Sequence, residues 1–246
     1  MVKRLLQGTV GVAAVAFATA AYVYLSLPDV RPLRKENPAT TAFMELRARE
    51  ADKSGKKPRK VQRWVAYERI SPSLKRAVIV AEDAAFFSHE GVDFDELEKS
   101  FEQSWNEGKR LRGGSTITQQ LAKNLFLSPS RNPVRKVEEL LIARRLEAEL
   151  SKRRILELYL NVIEWGDGIW GAEAAARSYF QKPASALGAD ESALLAASII
   201  NPRRYSPARP SKYLLRRQDL IRQRMGDVEP PAPAAAGPSD SRGGLP

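Results

Sequence analysis

The feature that most constrains this chain is an uncharged run of 23 residues, Leu5 to Leu27, close to the N-terminus. A helix of that length extends about 34 Å, enough to cross a hydrocarbon core of about 30 Å. Lys3 and Arg4 precede the run. By the positive-inside rule, residues 1–4 are therefore cytoplasmic and everything after Pro28 lies outside the membrane. The sequence predicts a single transmembrane anchor over residues 5–27.

A cleaved signal peptide is the alternative interpretation of this run. Ala18-Thr19-Ala20 resembles an A-x-A cleavage site. The apolar run continues beyond that site through Tyr22 and Tyr24, and paired tyrosines suit a membrane interface. This continuation favours a retained anchor.

Three further segments follow the predicted anchor. Residues 28–60 are rich in Lys and Arg, and we interpret them as a basic juxtamembrane linker or short helix near anionic headgroups. Residues 61–224 carry the periodic apolar segments of a mostly helical domain. Residues 225–246 form a Pro/Ala/Gly-rich tail that cannot bury a core and is predicted to be disordered.

Cysteine and histidine counts exclude several kinds of chemistry. The chain has no Cys and one His, His89, so it can form no disulfide, no thiol nucleophile, no Cys-ligated metal site and no two-His zinc motif. A Ser–His–Asp triad would have to use His89. A lone His beside Phe86-Phe87 is more often structural, and no nucleophilic Ser accompanies it.

Two adjacent carboxylates interrupt an apolar helical pattern predicted over Leu74–Phe87. At helical spacing the neighbours of Glu82 are all apolar: Val78, Ile79, Ala85 and Phe86. Partial desolvation raises the pKa of a carboxyl group and suits it to act as a base near neutral pH. Asp83 has similar neighbours, so periodicity alone cannot choose between the two. One is expected to be functional and the other a structural acceptor, with two structural carboxylates as the alternative.

A third carboxylate, Glu139, also interrupts an apolar stripe. Arg135 lies one helical turn before it and would keep it ionised. An ordinary intrahelical ion pair is the alternative interpretation.

A glycine pair, Gly113-Gly114, precedes a helix predicted over Ser115–Leu127. Such an entry leaves backbone N–H groups free to meet an anion at the positive end of the helix dipole. Ser115, Gln119 and Lys123 would form a polar row on one face, and Arg131 and Arg135 add positive charge nearby. The row suits a phosphate or a sugar, with a solvated helix face as the alternative. It is not a Walker A loop.

The formal net charge of +11 raises the question of nucleic acid. No recognition module is visible, and a chain on the outer side of a bacterial-type membrane meets little nucleic acid. We therefore expect anionic lipid or a pyrophosphate-bearing substrate, and no nucleic-acid partner.

Five segments, taken in chain order, resemble the motifs of the peptidoglycan glycosyltransferases. They are Glu82–Gly91 (E-D-x-x-F-x-x-H-x-G), Gly113–Asn124, Arg135–Glu139 (R-K-x-x-E), Ile155–Asn161 (I-L-E-x-Y-L-N) and Glu191–Pro202. Their order from Trp64 to Pro207 makes the resemblance specific. The length and the anchor resemble the monofunctional branch, which lacks a transpeptidase domain. Ser54-Gly55-Lys56-Lys57 fits S-x-x-K by chance, because no Lys-Thr-Gly accompanies it.

The resemblance implies a mainly α, lysozyme-like, two-lobed glycosyltransferase domain behind a single N-terminal transmembrane helix, with its cleft near the bilayer. It also implies polymerisation of lipid II into β-1,4-linked glycan, with inversion, release of undecaprenyl diphosphate and no transpeptidase activity. Glu82 falls on the family's catalytic base, and Glu139 on a second Glu near the donor phosphates. The donor-site positions fall on Ser115, Gln119, Lys123, Arg131 and Arg135.

The implied location is the inner membrane, with a periplasmic catalytic domain. The implied partners are lipid II, the growing lipid-linked glycan, membrane lipids and other cell-wall or division proteins. No obligatory cofactor or protein metal site is expected, although the family implies a divalent cation, Mg or Mn, at the diphosphate. Glycan cleavage and a catalytically inactive scaffold are the alternatives. The cationic row argues against cleavage, because a neutral sugar would not require it.

Overall fold

The computed structural model describes residues 11, 14, 17–18, 21–98, 102, 114–127 and 133–228. Most of the predicted anchor and the tail from residue 229 onward lie outside this set. Within it, no helix combines the length and apolar character needed to span a bilayer. Met225, which the sequence analysis placed in the tail, is buried in a short 3-10 helix, Met225–Asp227.

The described residues are mainly helical, which confirms the predicted fold class at that level. The helices are α1 (Ala42–Lys53), α2 (Pro72–Glu82), α3 (Ile117–Phe126), α4 (Pro133–Glu149), α5 (Lys152–Val162), α6 (Ala172–Phe180), α7 (Ala189–Ser198) and α8 (Lys212–Arg224). Three short strands, β1 (Val61–Gln62), β2 (Glu164–Gly166) and β3 (Ile169–Trp170), form a small sheet in the order β1-β3-β2. Strand β3 runs parallel to β1 and antiparallel to β2.

Helix packing divides the elements around the site into two groups that share one hydrophobic core. Helix α2 packs against α7 and α8, while α3 packs against α4 and α5. Ser71 caps α2, since its Oγ accepts the Leu74 N–H at 3.0 Å, and Pro72 occupies the first turn as predicted. Helix α2 ends at Glu82 rather than at Phe87, and α3 begins at Ile117 rather than at Ser115.

Residues 28–60 pack onto the domain. Val30 and Leu33 are buried, and α1 lies against α3. The Arg154 guanidinium donates to the Leu33 and Glu36 carbonyls, each at 2.8 Å. The segment predicted as a linker is therefore held to α5 through its backbone.

Asn161, at the end of the I-L-E-x-Y-L-N segment, joins α5 to the loop after β1. Its fully buried side chain accepts the Val65 N–H at 2.9 Å and donates to the Val65 carbonyl at 2.9 Å. A buried backbone needs such partners, and here one amide side chain supplies both.

We expect Asn161→Ala to destabilise the fold by about 3 kcal/mol, because it leaves both polar groups of Val65 without partners. Thermal unfolding should show the midpoint lowered by about 6–12 °C. The control is Asn201→Ala, which removes an exposed acceptor of the Arg204 N–H and should have little effect. A midpoint equal to that of the control would contradict the role assigned to Asn161.

Candidate active site

Glu82 is the last residue of α2 and lies at the edge of an open pocket of about 710 Å³. Residues that line the pocket include Glu82, Asp83, His89, Ser115, Arg144 and Arg224. The side chain of Glu82 is only 12% exposed. The pocket thus brings the first and second predicted motifs together at one carboxylate.

The Glu82 carboxylate contacts a neutral hydrogen-bond donor and a cation. Gln120 Nε2 donates to Oε2 at 2.9 Å, and Arg217 Nη2 lies 3.6 Å from Oε1. Burial raises the pKa of Glu82, and the neighbouring charge of Asp83 adds to this. The Gln120 hydrogen bond and the cations Arg217 and Lys123 oppose the shift. The net upward shift is what a proton acceptor working near neutral pH requires.

Asp83 has a different environment. Its Oδ2 accepts the Ile117 N–H at 2.9 Å, and its Oδ1 contacts His89 Nε2 at 2.9 Å. The Gly91 N–H donates to His89 Nδ1 at 3.1 Å, so the proton of a neutral imidazole lies on Nε2, facing Asp83. Asp83 and His89 therefore fix the segment from Asp83 to Gly91 and tie it to the start of α3, and the geometry gives Asp83 the structural role of the pair.

These contacts correct one prediction about the glycine-rich entry to α3. The N–H groups of Ile117 and Gln119 are not free for a ligand anion: the first donates to Asp83 and the second to Thr116 Oγ1 at 3.2 Å. The anion at the N-terminus of α3 is the protein's own carboxylate. Gly114, just before the helix, has a φ of +76°, which residues with a Cβ rarely adopt.

A second polar cluster surrounds Glu139 on α4. This buried carboxylate accepts from Arg135 Nη1 at 3.1 Å, as the spacing predicted, and from Lys136 Nζ. The same ammonium lies 3.3 Å from Ser115 Oγ and 3.3 Å from Gln119 Oε1. Lys136 thus joins three residues that the sequence had singled out, Ser115, Gln119 and Glu139.

Lys123 lies one turn after Gln119 on α3. Burial lowers the pKa of its ammonium, Arg135 and Lys136 act in the same direction, and Glu139 and Glu82 oppose them. Within the described part of the chain its recorded partner is the ring of Phe43 on α1, 5.9 Å from Nζ to the centroid. Its donors are therefore available to a ligand. Arg131, the remaining predicted donor-site residue, lies outside the described residues.

Sequence reasoning missed four side chains that shape the site. Gln120, Tyr159, Arg217 and Lys136 all belong to it. Lys136 had a local signal, since it lies three residues before Glu139 on one helix face. Arg217 had no such local signal, because in the sequence it is indistinguishable from its neighbour Arg216.

The described residues contain no group of three or more His, Asp or Glu that could hold a metal ion. The carboxylate of Glu139 is already met by two cations. The described side chains, including those around Glu139, therefore do not fit a protein-bound divalent cation.

Comparisons with known proteins agree with the motifs. A family model described as Transglycosylase matches residues 50–226. The biosynthetic peptidoglycan transglycosylase of Laribacter hongkongensis is 51% identical over 195 residues, which cover 79% of this chain and 86% of the relative. The proteins of the same name from Methylobacillus flagellatus and Chromobacterium violaceum are 50% and 49% identical over 197 and 198 residues. Those matches cover 80% of this chain in each case, and 86% and 87% of the relatives.

The two adjacent carboxylates should respond oppositely to neutral substitution. The pKa of Glu82 is raised above its usual value of 4.5, so its contribution to stability is full below that value and is lost as the pH rises through the folded pKa. At pH 7.5, Glu82→Gln should therefore melt at the same temperature as the wild type or higher, and this difference should shrink towards pH 5.

Asp83→Asn should instead destabilise the protein by about 1.5–3 kcal/mol, because it weakens the acceptor for Ile117 and His89. Thermal unfolding of both variants at the two pH values measures the contrast. A destabilised Glu82→Gln beside an unaffected Asp83→Asn would reverse the roles assigned here.

Proposed function

The chain belongs to the transglycosylase family, and from that premise we propose that it polymerises lipid II into β-1,4-linked glycan strands for the cell wall. The observation that carries this proposal is the arrangement around Glu82. A buried carboxylate with a raised pKa lines an open pocket, and the cations Arg217 and Lys123 are close enough to act on its charge. Such a site can accept a proton on one side and bind a diphosphate on the other.

In the proposed reaction, Glu82 removes the proton from the 4-hydroxyl of the acceptor sugar. The hydroxyl oxygen then forms a bond to C1 of the donor sugar while the bond from C1 to the phosphate oxygen breaks. The donor is α-linked and the product β-linked, so the displacement inverts. An inverting glycosidase needs an acid to protonate its leaving group. A diphosphate leaves as a stabilised anion, so cations can replace that acid.

We assign the stabilisation of the leaving diphosphate to Lys123 and Arg131. Lys123 supports this assignment because its ammonium donates no hydrogen bond to any described residue, so its donors are available to a ligand. Preorganised donors aimed at charge that grows in the transition state are among the largest contributors to catalysis.

Glu139 is proposed to orient the groups that contact the donor. It holds Arg135 and Lys136 on one face of α4, and Lys136 reaches Ser115 and Gln119. The donor site of the proposal thus comprises Ser115, Gln119, Lys123, Arg131 and Arg135. A divalent cation at the diphosphate stays a prediction from the resemblance, and substrate oxygens would have to supply most of its ligands.

The finer architecture is also a proposal. We take the two helix groups as the lobes of a lysozyme-like fold, because Glu82 ends a helix of one group and Gln120 lies in the other. We place the catalytic domain at 61–224, the basic juxtamembrane segment at 28–60 and the anchor at 5–27. With residues 1–4 cytoplasmic, the domain is periplasmic on the inner membrane, where membrane lipids and other cell-wall or division proteins are its expected neighbours.

Glu82→Gln should reduce polymerisation of labelled lipid II by at least about 10²-fold, because a positioned base contributes 10²–10⁴-fold. The detergent-solubilised full chain is incubated with lipid II, and the products are resolved on a gel before and after muramidase digestion. Glu45→Gln, which changes an exposed carboxylate on α1, is the control and should polymerise normally. Equal polymer from wild type and Glu82→Gln would move the base elsewhere.

Lys123→Ala should slow polymerisation by about 10²–10³-fold, the usual effect of removing one donor to developing charge. Lys182→Ala, which removes a half-exposed lysine paired with Glu191, serves as the matched control. Initial rates at saturating lipid II measure the effect. An unchanged rate for Lys123→Ala would show that the leaving group does not depend on this cation.

A further inference from the structure

Tyr159 lies beneath the proposed base but does not touch it. The residue is at the centre of α5 and is fully buried. Its hydroxyl donates to Gln120 Oε1 at 2.8 Å, and Gln120 Nε2 donates to Glu82 Oε2 at 2.9 Å. Three helices, α5, α3 and α2, therefore contribute one side chain each to a single chain of hydrogen bonds.

The amide of Gln120 can serve a carboxylate in only one of its two orientations. With Nε2 towards Glu82 it donates a hydrogen bond, whereas with Oε1 towards Glu82 two acceptors would face each other. A hydroxyl that donates to Oε1 favours the first orientation. Without that donor, Oε1 would lose its hydrogen bond, and only the long contact of Nε2 with the Ser115 carbonyl at 3.4 Å would still favour the first orientation.

The environment of Tyr159 keeps its hydroxyl a donor. Burial raises the pKa of the phenol well above its usual value, and the negative charges of Glu82 and Asp83 raise it further. The phenol therefore stays protonated at every pH at which an enzyme of this kind would work. The acceptor of this hydroxyl proton is Gln120 Oε1.

We propose that Tyr159 is a positioning residue, whose hydroxyl fixes the Gln120 amide and, through it, the hydrogen bond that Glu82 receives. This inference rests on the proposed function, because it concerns Glu82 as the base. The residue acts on the protonation of Glu82 and has no contact with the substrate.

The expected consequence is a change in the pH dependence of the reaction. Other groups that face Glu82 are Asp83 on its own segment, with His89 against it, Lys123 from α3 and Arg217 from α8. Tyr159→Phe leaves all of them in place. The Gln120 hydrogen bond lowers the pKa of Glu82, so weakening it raises that pKa and moves the acid limb of kcat/KM to higher pH.

The test is the rate of lipid II polymerisation by the solubilised full chain between about pH 5 and 9. We expect Tyr159→Phe to shift the acid limb upward by about half to one pH unit, with KM and the plateau rate little changed. At the foot of that limb the rate should fall about three- to tenfold. Tyr67→Phe is the matched control, because its fully buried hydroxyl has no hydrogen-bond partner among the described residues. This control should leave the acid limb of kcat/KM at the same pH as in the wild type.

We call the path from the Tyr159 hydroxyl through the Gln120 amide to Glu82 the relay. A double-mutant cycle separates the effect of this relay from a simple loss of packing. Gln120→Met removes the donor outright and should shift the limb at least as far as Tyr159→Phe. Adding Tyr159→Phe to Gln120→Met should then cause no further shift, because the tyrosine acts only through the amide. An additive shift would overturn the proposal. If Tyr159→Phe does not fold, Gln120→Met decides: a raised acid limb supports the relay and an unmoved one overturns it.

The outcomes also distinguish the relay from the proposed function. A Glu82→Gln variant as active as the wild type overturns both the base and the relay. An inactive Glu82→Gln beside a well-folded Tyr159→Phe with an unmoved acid limb overturns the relay alone.

Discussion

The site depends on one carboxylate to which the geometry gives a structural role, Asp83. By accepting the Ile117 N–H, it joins the end of α2 to the start of α3, although Asp83 and Ile117 are 34 residues apart in the chain. By contacting His89 it also fixes the loop that leads into the pocket. Glu82 is adjacent to Asp83 in the chain, and Gln120 lies one turn into α3, so the distance between these two is set by the Asp83 contact. The negative charge at the N-terminus of a helix is favourable in its own right.

Positive charge in this protein is arranged in two different ways. Glu139 holds Arg135 and Lys136 in direct ion pairs, and if both cations turned away a buried carboxylate would be left unpaired. Lys123, by contrast, carries an ammonium whose recorded partner is an aromatic ring. Pairing fixes the position of a cation, whereas a cation with no carboxylate partner among the described residues keeps its hydrogen-bond donors for other groups. The basic composition is therefore only part of the account, because the pairing determines what each cation can do.

The sequence predicted what is local and missed what is long-range. The mainly helical fold, the Ser71-Pro72 start of α2 and the Arg135–Glu139 pair were predicted, since each depends on residues within one or two helical turns. The end of α2 was wrong by five residues, because the apolar pattern continues to Phe87 while Asp83 turns the backbone away to bond α3. Gln120, Tyr159 and Arg217 lie 38, 77 and 135 residues from Glu82 in the chain, and no periodicity relates positions so far apart. Periodicity likewise left Glu82 and Asp83 undecided, and the resemblance chose Glu82; the contacts of the folded chain give Asp83 the structural part.

The attachment of residues 28–60 has a consequence for how the chain can be divided. The family match begins at residue 50, and periodicity placed the domain from residue 61. A truncation at either position would remove Val30 and Leu33 from the core and the carbonyls that Arg154 binds. Either truncation would also remove Phe43, whose aromatic ring contacts the Lys123 ammonium. A fragment that keeps these contacts therefore has to begin near residue 28, upstream of the first residue of the family match.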